Sequence, residues 1–514
     1  MSNDTYRRRK TLIVCCDGNL NTAPQSLDLL TNTPPGTWQN SGNGWEHDGF
    51  LNLGPGHLAV PTNVTRLSRA IHPEDSSGDP QIVYYQAGIG TGWSIFDRLW
   101  AGGTGKGLSE NIREAYAFLV NNYMEGDKIV LTGFSRGAFT ARSIAGLISD
   151  FGLLQKKNGC MEFFYYIFQD WEHAGKEDYK PKILKKFSDF NQQFPPSDIA
   201  NYLQAYKEDL LKRGISRDIN IEAVGVFDTV GALGIPIHPL ICKLFPRVPT
   251  FTSFTYHFYD TALNNHVKNA FQALALDEHR AAFAPTVWEK PAHCTTHLEQ
   301  VWFPGVHSNI GGGYPDLSTA DISLAWMMEK LRPFVSFDKD YLTQQIAETK
   351  GYYGAQPCRD SHTRQSLVGK AWHWGMGILY NSANFPTNLT GSHYWRTPGL
   401  YHRTDYKTGR PTKKLLSDTC ERIHPSVRAR VHFHGKDWTG KKAYNPQALK
   451  EWLLEGDKWV YKGSDRKYGF TAKGTPKELL ESELCGYELQ LLEYDSEMAA
   501  DVLSVRHVAG PARN

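Results

Sequence analysis

Three residues stand out for the chemistry their types and surroundings would allow: Ser135, Asp228 and His307. Ser135 is the centre of Gly133-Phe134-Ser135-Arg136-Gly137, a G-x-S-x-G pentapeptide. Glycine and serine are common, so the pentapeptide gains its meaning from context. KIVLT (128–132) reads as a strand that ends just before it, and a helix of small residues runs from Arg136 to about Ser149. A strand–turn–helix of this kind is a nucleophile elbow, in which the serine takes a strained backbone conformation and exposes its hydroxyl. A Cβ at position 133 or 137 would obstruct the approach of helix and strand, and Ala138, Ala141 and Ala145 would let the helix lie close to the sheet.

A serine hydroxyl is a poor nucleophile until a base takes its proton and an acid orients that base. Asp228 follows the strand-like IEAVGVF (221–227), and His307 follows LEQVWFP (298–304) and precedes Ser308-Asn309-Ile310 and three glycines. The chain order Ser, acid, His is that of the α/β-hydrolases. The competing histidines are His257, His266 and His279, the last in LALDEHRAAF, which reads as helix. The competing acids are Asp260, Asp277 and Asp316. Acyl transfer also needs donors for an oxyanion. The backbone N–H of Arg136 is one, and the Asp17-Gly18-Asn19 turn after the first strand is the source of the other, through Gly18 or Asn19. The Gly88–Gly92 loop is an alternative source.

These residues need elements to hold them. TLIVCC (11–16), QIVYYQ (81–86), KIVLT, IEAVGVF and LEQVWFP read as strands. Helical periodicity over 63–71, 108–124, 136–149 and 318–331 alternates with them. Alternation of this kind predicts an α/β fold with a mostly parallel sheet covered by helices, whose ligands bind beyond the C-terminal ends of the strands. All three candidates lie just past such ends. The catalytic domain is expected over 10–345. Residues 150–220 break the rhythm as a helical insertion. Its aromatic stretch, Phe163 to Trp171, reads first as core and second as a lid over the site. From 346 to 506 a Trp-rich, loop-rich extension is expected to pack on the core, with a mobile tail at 507–514.

With 514 residues, 40% of them hydrophobic and 21% charged, the chain can bury a large core. Lys and Arg number 56 against 54 Asp and Glu, a near-balance that argues against nucleic-acid binding. No apolar run reaches the ~18 residues of a membrane span, and the N-terminus lacks a secretory pattern, so a cytoplasmic protein is expected. Eight cysteines form no CxxC pair and read as reduced thiols. AGGTGKG (101–107) departs from the phosphate-loop pattern, and His432 and His434, placed on one strand face, lack a third ligand. Neither a cofactor nor a metal is expected.

Several stretches resemble the catalytic domain of type VI secretion phospholipase effectors, a family with many fungal members. They are LIVCCDGN (12–19), PTNVTRL (61–67), IVYYQAGIGTG (82–92), GFSRGAFTAR (133–142), VGVFDTVGALG (224–234), LALDEHR (274–280) and WFPGVHSNIGGGY (302–314). The resemblance implies an α/β-hydrolase fold and carries the family's serine, aspartate and histidine onto Ser135, Asp228 and His307. The family's Asp-Gly-Thr is Asp17-Gly18-Asn19 here, and its Ser-Asp after the histidine is Ser308-Asn309. RTPGLYHR (396–403) and RIHPSVRAR (422–430) resemble fungal members, with no chemistry attached.

The expectation is a serine hydrolase of carboxylic esters, with phospholipid or other acyl-lipid esters as the substrate class. An acyltransferase or a specialised-metabolite hydrolase is the alternative on the same scaffold, and a non-catalytic interaction protein is a third reading. Peripheral contact with a membrane stays open.

Overall fold

The computed structural model describes residues 8–18, 45–47, 56–58, 60–88, 106–156, 161–174, 179–189, 199–230, 263–280, 283–355, 373–381, 394–404, 411–463 and 478–508. Its centre is a seven-stranded sheet in which every pairing is parallel. The strands are β1 (Thr11–Cys16), β2 (Gln81–Gln86), β3 (Lys128–Phe134), β4 (Ile221–Phe227), β5 (Val267–Ala275), β6 (His297–Phe303) and β7 (Glu421–Ile423), in the spatial order β7-β6-β5-β4-β3-β1-β2. The helices are α1 (Asn63–Ala70), α2 (Lys106–Asn122), α3 (Arg136–Phe151), α4 (Met161–His173), α5 (Ile199–Lys212), α6 (His307–Gly311), α7 (Ser318–Leu331), α8 (Tyr341–Ala355), α9 (Pro425–His432), α10 (Gly486–Glu493) and α11 (Ser496–Val508).

Side chains of β1 alternate between the two faces, as a strand's period of two requires. Leu12, Val14 and Cys16 join the core under α2 and α3. Ile13 and Cys15 join the core under α1 and α7. Both faces are covered, which is why β1 is apolar throughout. The chain lays β1 and β2 in one direction, then returns to the far side of β1 for β3 and grows outward from there. The order therefore reverses between β1 and β3. Parallel sheets bind ligands in the crevice at such a switch point, and the residues that follow these two strands are Asp17-Gly18 and Ser135.

The insertion is closed at its base by Leu153–Leu154 pairing antiparallel with Ser216–Arg217. Phe164, Ile167, Phe168 and Trp171 of α4 are buried against α2 and α3, with Phe164 stacked on Tyr116. Asp170 ties the insertion together, accepting from Tyr179, Tyr206 and the backbone of Lys182 and Ile183.

The structure departs from the sequence reading in several places. LALDEHR is not a helix: it is the end of β5 and the turn after it, with Leu274, Ala275 and Leu276 fully buried. These three continue a strand buried on both faces, which periodicity alone does not separate from a helix. His432 closes helix α9, and His434 follows at positive φ, so the two do not share a strand face. No cluster of three metal-ligating side chains occurs among the described residues. Beyond residue 345 the chain adds the seventh strand, with Gln300 opposite Glu421. It also adds a third core, in which Trp452, Trp459 and Leu479 of a small antiparallel sheet pack with Trp302 and Ile423. Helix α11 runs through Val508, so the expected tail from 507 begins inside a helix, and 509–514 lie outside the described residues. Between β1 and α1, Trp45–His47 pairs antiparallel with Gly56–Leu58.

Candidate active site

Ser135 sits between β3 and α3 with φ 58° and ψ −122°, a region of backbone space that costs a non-glycine residue about 1–3 kcal/mol. The surroundings impose it. A Cβ at Gly133 would lie 2.5 Å from the carbonyl oxygen of Gly137, and one at Gly137 would lie 2.2 Å from that of Cys16. Both neighbours are backbone and cannot yield, so only glycine lets α3 start this close to the ends of β3 and β1. The Ser135 N–H donates to Phe227 O at 3.1 Å, which ties the elbow to β4.

Asp228 is the first residue after β4, fully buried and also at positive φ (37°). Its Oδ1 accepts the Ala275 N–H at 3.0 Å. Its Oδ2 accepts from His307 Nδ1 at 2.6 Å and from an Arg396 Nη at 3.0 Å. His307 opens α6, with its ring packed on Phe134 (centroids 4.6 Å apart) and edge-on to Phe283 (4.8 Å). The Nδ1–H donated to the carboxylate sets the tautomer and leaves the lone pair on Nε2. That Nε2 is buried and has no hydrogen-bond partner among the described residues. Burial lowers the His307 pKa below the usual imidazole value, and the bond to Asp228 opposes the shift without cancelling it. The ring is therefore neutral at neutral pH, as a base must be. No hydrogen bond joins Ser135 to Nε2 among the described residues, a common state before substrate binds.

Glu278 organises the surroundings. It accepts the Arg280 guanidinium in a forked pair, the N–H groups of His279 and Arg280, and the His307 N–H at 3.3 Å. Burial by itself would raise this carboxyl, but Arg280 and then Arg396 hold it well below the usual carboxylate range.

At the neighbouring strand end, Asp17 is buried beneath the elbow. It accepts from Thr62, Thr65 and Tyr85 and from the Gly18 N–H at 2.7 Å. The Gly18 donor is thus already engaged. Asn19, the other candidate in this turn, lies outside the described residues, as do Gly90 and Gly92 of the alternative loop. Arg136 is the first residue of α3, so its N–H has no acceptor within the helix.

The remaining candidates are elsewhere or otherwise occupied. His266 precedes β5, at the opposite end of the sheet, beside Lys207 and Asp218. His279 lies against Trp395, with Nδ1 on the Asp277 carbonyl. Asp277 accepts from the Gly305 N–H and the Tyr444 hydroxyl. Asp316 accepts from Tyr353, Ser318 and the Ile378 N–H. His257 and Asp260 lie outside the described residues. Sequence reasoning did not single out Glu278, Arg280, Phe283 or Arg396. The first two stand in LALDEHR, where an acid two residues before an arginine is the only local signal. Arg396 is 168 residues from Asp228, and nothing local marks it.

The family model of the T6SS phospholipase effector Tle1-like catalytic domain matches residues 10–330. The uncharacterized protein YEL023C of Saccharomyces cerevisiae is 30% identical over 242 residues, 43% of this chain. That stretch is 29% of the yeast protein, so the match spans under a third of its length. The crystal structure of an uncharacterized protein from Pseudomonas aeruginosa aligns with a TM-score of 0.31 at 14% identity, over 96% of this chain and 67% of that one.

Proposed function

The chain belongs to the family of T6SS Tle1-like phospholipase effector catalytic domains, and from that membership we propose that it is a serine hydrolase of lipid carboxylic esters, phospholipids foremost. Ser135 Oγ attacks the ester carbonyl while His307 Nε2 takes its proton. The imidazolium, held by Asp228 at Nδ1, then gives that proton to the leaving alcohol. Water, deprotonated by the same nitrogen, releases the acyl group from Ser135. The Arg136 N–H is one donor to the oxyanion. The second comes from the turn after β1: from Asn19, or from Gly18 if its N–H exchanges Asp17 for the substrate oxygen. No step calls for a metal or an organic cofactor.

The observation that carries this reading is the buried Asp228–His307 pair, whose free Nε2 belongs to a ring packed on Phe134, the residue before Ser135. Lipid specificity rests on family membership. The domain reading is part of the proposal: a catalytic unit over 10–345, an insertion at 150–220 and an extension from 346. The test is a fluorophosphonate probe followed by peptide mapping, then a panel of phospholipids and simple acyl esters. Modification of the Gly133–Gly137 peptide with release of fatty acid is the expected result. Labelling at another residue with Ser135 untouched would falsify the assignment. No helix of the described residues is long and apolar enough to cross a membrane, so the lipid would be met at a surface or as a monomer.

A further inference from the structure

Asp228 Oδ2 serves two donors at once, and the second of them comes from outside the matched catalytic domain. Arg396 is 2% exposed and Asp228 fully buried, and their bond is 3.0 Å long. The segment that brings Arg396 in is fastened to the turn after β5. The Tyr394 N–H donates to the His279 carbonyl at 2.8 Å, and Trp395 lies against the His279 ring at 4.7 Å between centroids. Three residues further on, the Gly399 N–H donates to Glu421, which faces β6 from the outer strand β7. The other Nη of Arg396 is buried with no hydrogen-bond partner among the described residues. A guanidinium ordinarily fills all its donors when buried, because an unsatisfied one costs about 1–3 kcal/mol. Here one donor is given up for a single bond to the acid that also holds His307.

We propose that Arg396 is a positioning residue of the active site: it shares Asp228 Oδ2 with His307, locks the carboxylate plane toward the imidazole, and keeps the imidazole in its neutral, proton-accepting form. Among the described residues the carboxylate has three donors, the Ala275 N–H, His307 Nδ1 and Arg396, and together they hold its plane. The electrostatics follow from burial and from the groups facing His307. Burial is the chief cause that keeps the ring neutral; Asp228 from the end of β4 and Glu278 from the end of β5 favour the imidazolium, and Arg280 opposes it. Arg396, bonded to the same Asp228 oxygen, adds a second cation that would oppose the imidazolium too. Without Arg396 the balance becomes two against one, and the ring holds its proton to higher pH. The region beyond residue 345 then has a part in catalysis and is not only a covering of the sheet.

This inference rests on the Ser-His-Asp reading, and its test separates the two. Arg396→Met and the polar, uncharged Arg396→Gln are compared with the native full-length chain on a soluble short-chain ester. The expected result in a folded variant is a kcat lower by about ten- to a hundredfold with KM within about twofold. The acid limb of the kcat/KM profile should move up by roughly one pH unit, the lower end of what one neighbouring charge does. Arg396→Lys, which keeps the charge, should return the limb toward the native position. The second measurement needs no turnover: 15N-histidine NMR in the Ser135→Ala background, with His307→Gln identifying the signal. The His307 midpoint should rise in Arg396→Met and Arg396→Gln. An unmoved midpoint and an unmoved acid limb, with only a lower Tm, would return Arg396 to a structural role. Failure of the native protein to turn over ester or take the probe would sink the serine mechanism, while the NMR titration still decides Arg396.

Discussion

His307 Nδ1 lies 2.6 Å from Asp228 Oδ2, inside a pair almost wholly removed from water. Asp228 is the first residue past β4, and His307 opens α6 four residues past β6, so both are held close to the ends of strands. A charge-assisted bond this short and dry holds the imidazole plane and its tautomer together. It also makes the members of the site interdependent, and that interdependence can be measured.

Ser135→Ala and His307→Ala should each lower kcat by about four to six orders of magnitude, and Asp228→Asn by about four. Combining any two should add little to the larger single loss. Single-turnover rates on the singles and doubles decide it. Losses that multiply would mean the residues act separately.

Acid should remove both stability and activity, and stability should begin to decline first. Burial lowers the folded-state pKa of His307 below the ordinary value, so the acid limb of kcat/KM should have its midpoint below about 6.5. For stability, the unfolded chain takes up the histidine proton near pH 6.5 while the folded chain does not. Stability is therefore full above that value and falls as pH drops through it. His424 acts in the same sense: burial lowers its pKa first, against the opposing bond to Glu488, and it is fully buried between Ser426 and Glu488. Urea midpoints measured from pH 8 to pH 5 should decline below about 6.5. Asp277, its carboxyl pushed up to about 6 by burial, works in the opposite sense over part of this range, so the slope is compared with that of His424→Gln; an unchanged slope would contradict the His424 assignment.

Two glycine substitutions should have opposite signs. Gly137→Ala sets a methyl 2.2 Å from a carbonyl oxygen of β1, so backbone must move, at a cost of about 3 kcal/mol, with loss of activity from the displaced elbow. Gly351→Ala lies on the exposed side of α8 with nothing within 4 Å and should stabilise by about 0.5–1 kcal/mol. Thermal unfolding of the two variants checks the pair. A Gly137→Ala protein of native Tm would mean the elbow is looser than its packing.

Phe168 tests the role of the insertion. It is buried with Phe164 and Trp171 in the layer over α2 and α3. Phe168→Ala should cost about 3–5 kcal/mol and reduce kcat/KM for acetyl and long-chain esters by the same factor. A loss confined to the long chain would instead make this helix part of the acyl site.

The sequence by itself determined five of the seven strands of the sheet, the elbow and the order of its candidates. These are local matters: an apolar run of β-branched residues has one good conformation when both faces are covered, and a serine between two glycines at the junction of strand and helix has one good backbone. Asp228 and His307 were legible because each follows a strand, and a parallel sheet delivers all such residues to one edge. What sequence reasoning misread was local ambiguity and distance. The end of β5 was read into a helix because Leu274, Ala275 and Leu276 are an apolar run with no alternation to show. Only the tertiary structure decided that the Gly18 N–H is engaged by its own neighbour, that Glu278 and Arg280 brace His307, and that the Trp-rich region closes the sheet with a seventh strand. It alone set Arg396 against Asp228, because a bond between residues 168 apart has no local energy term to leave a trace in either segment. The contact exists because the segment around Arg396 packs on the turn after β5 and on β6, with the half-buried Trp395 against His279 and Tyr401 against Trp302.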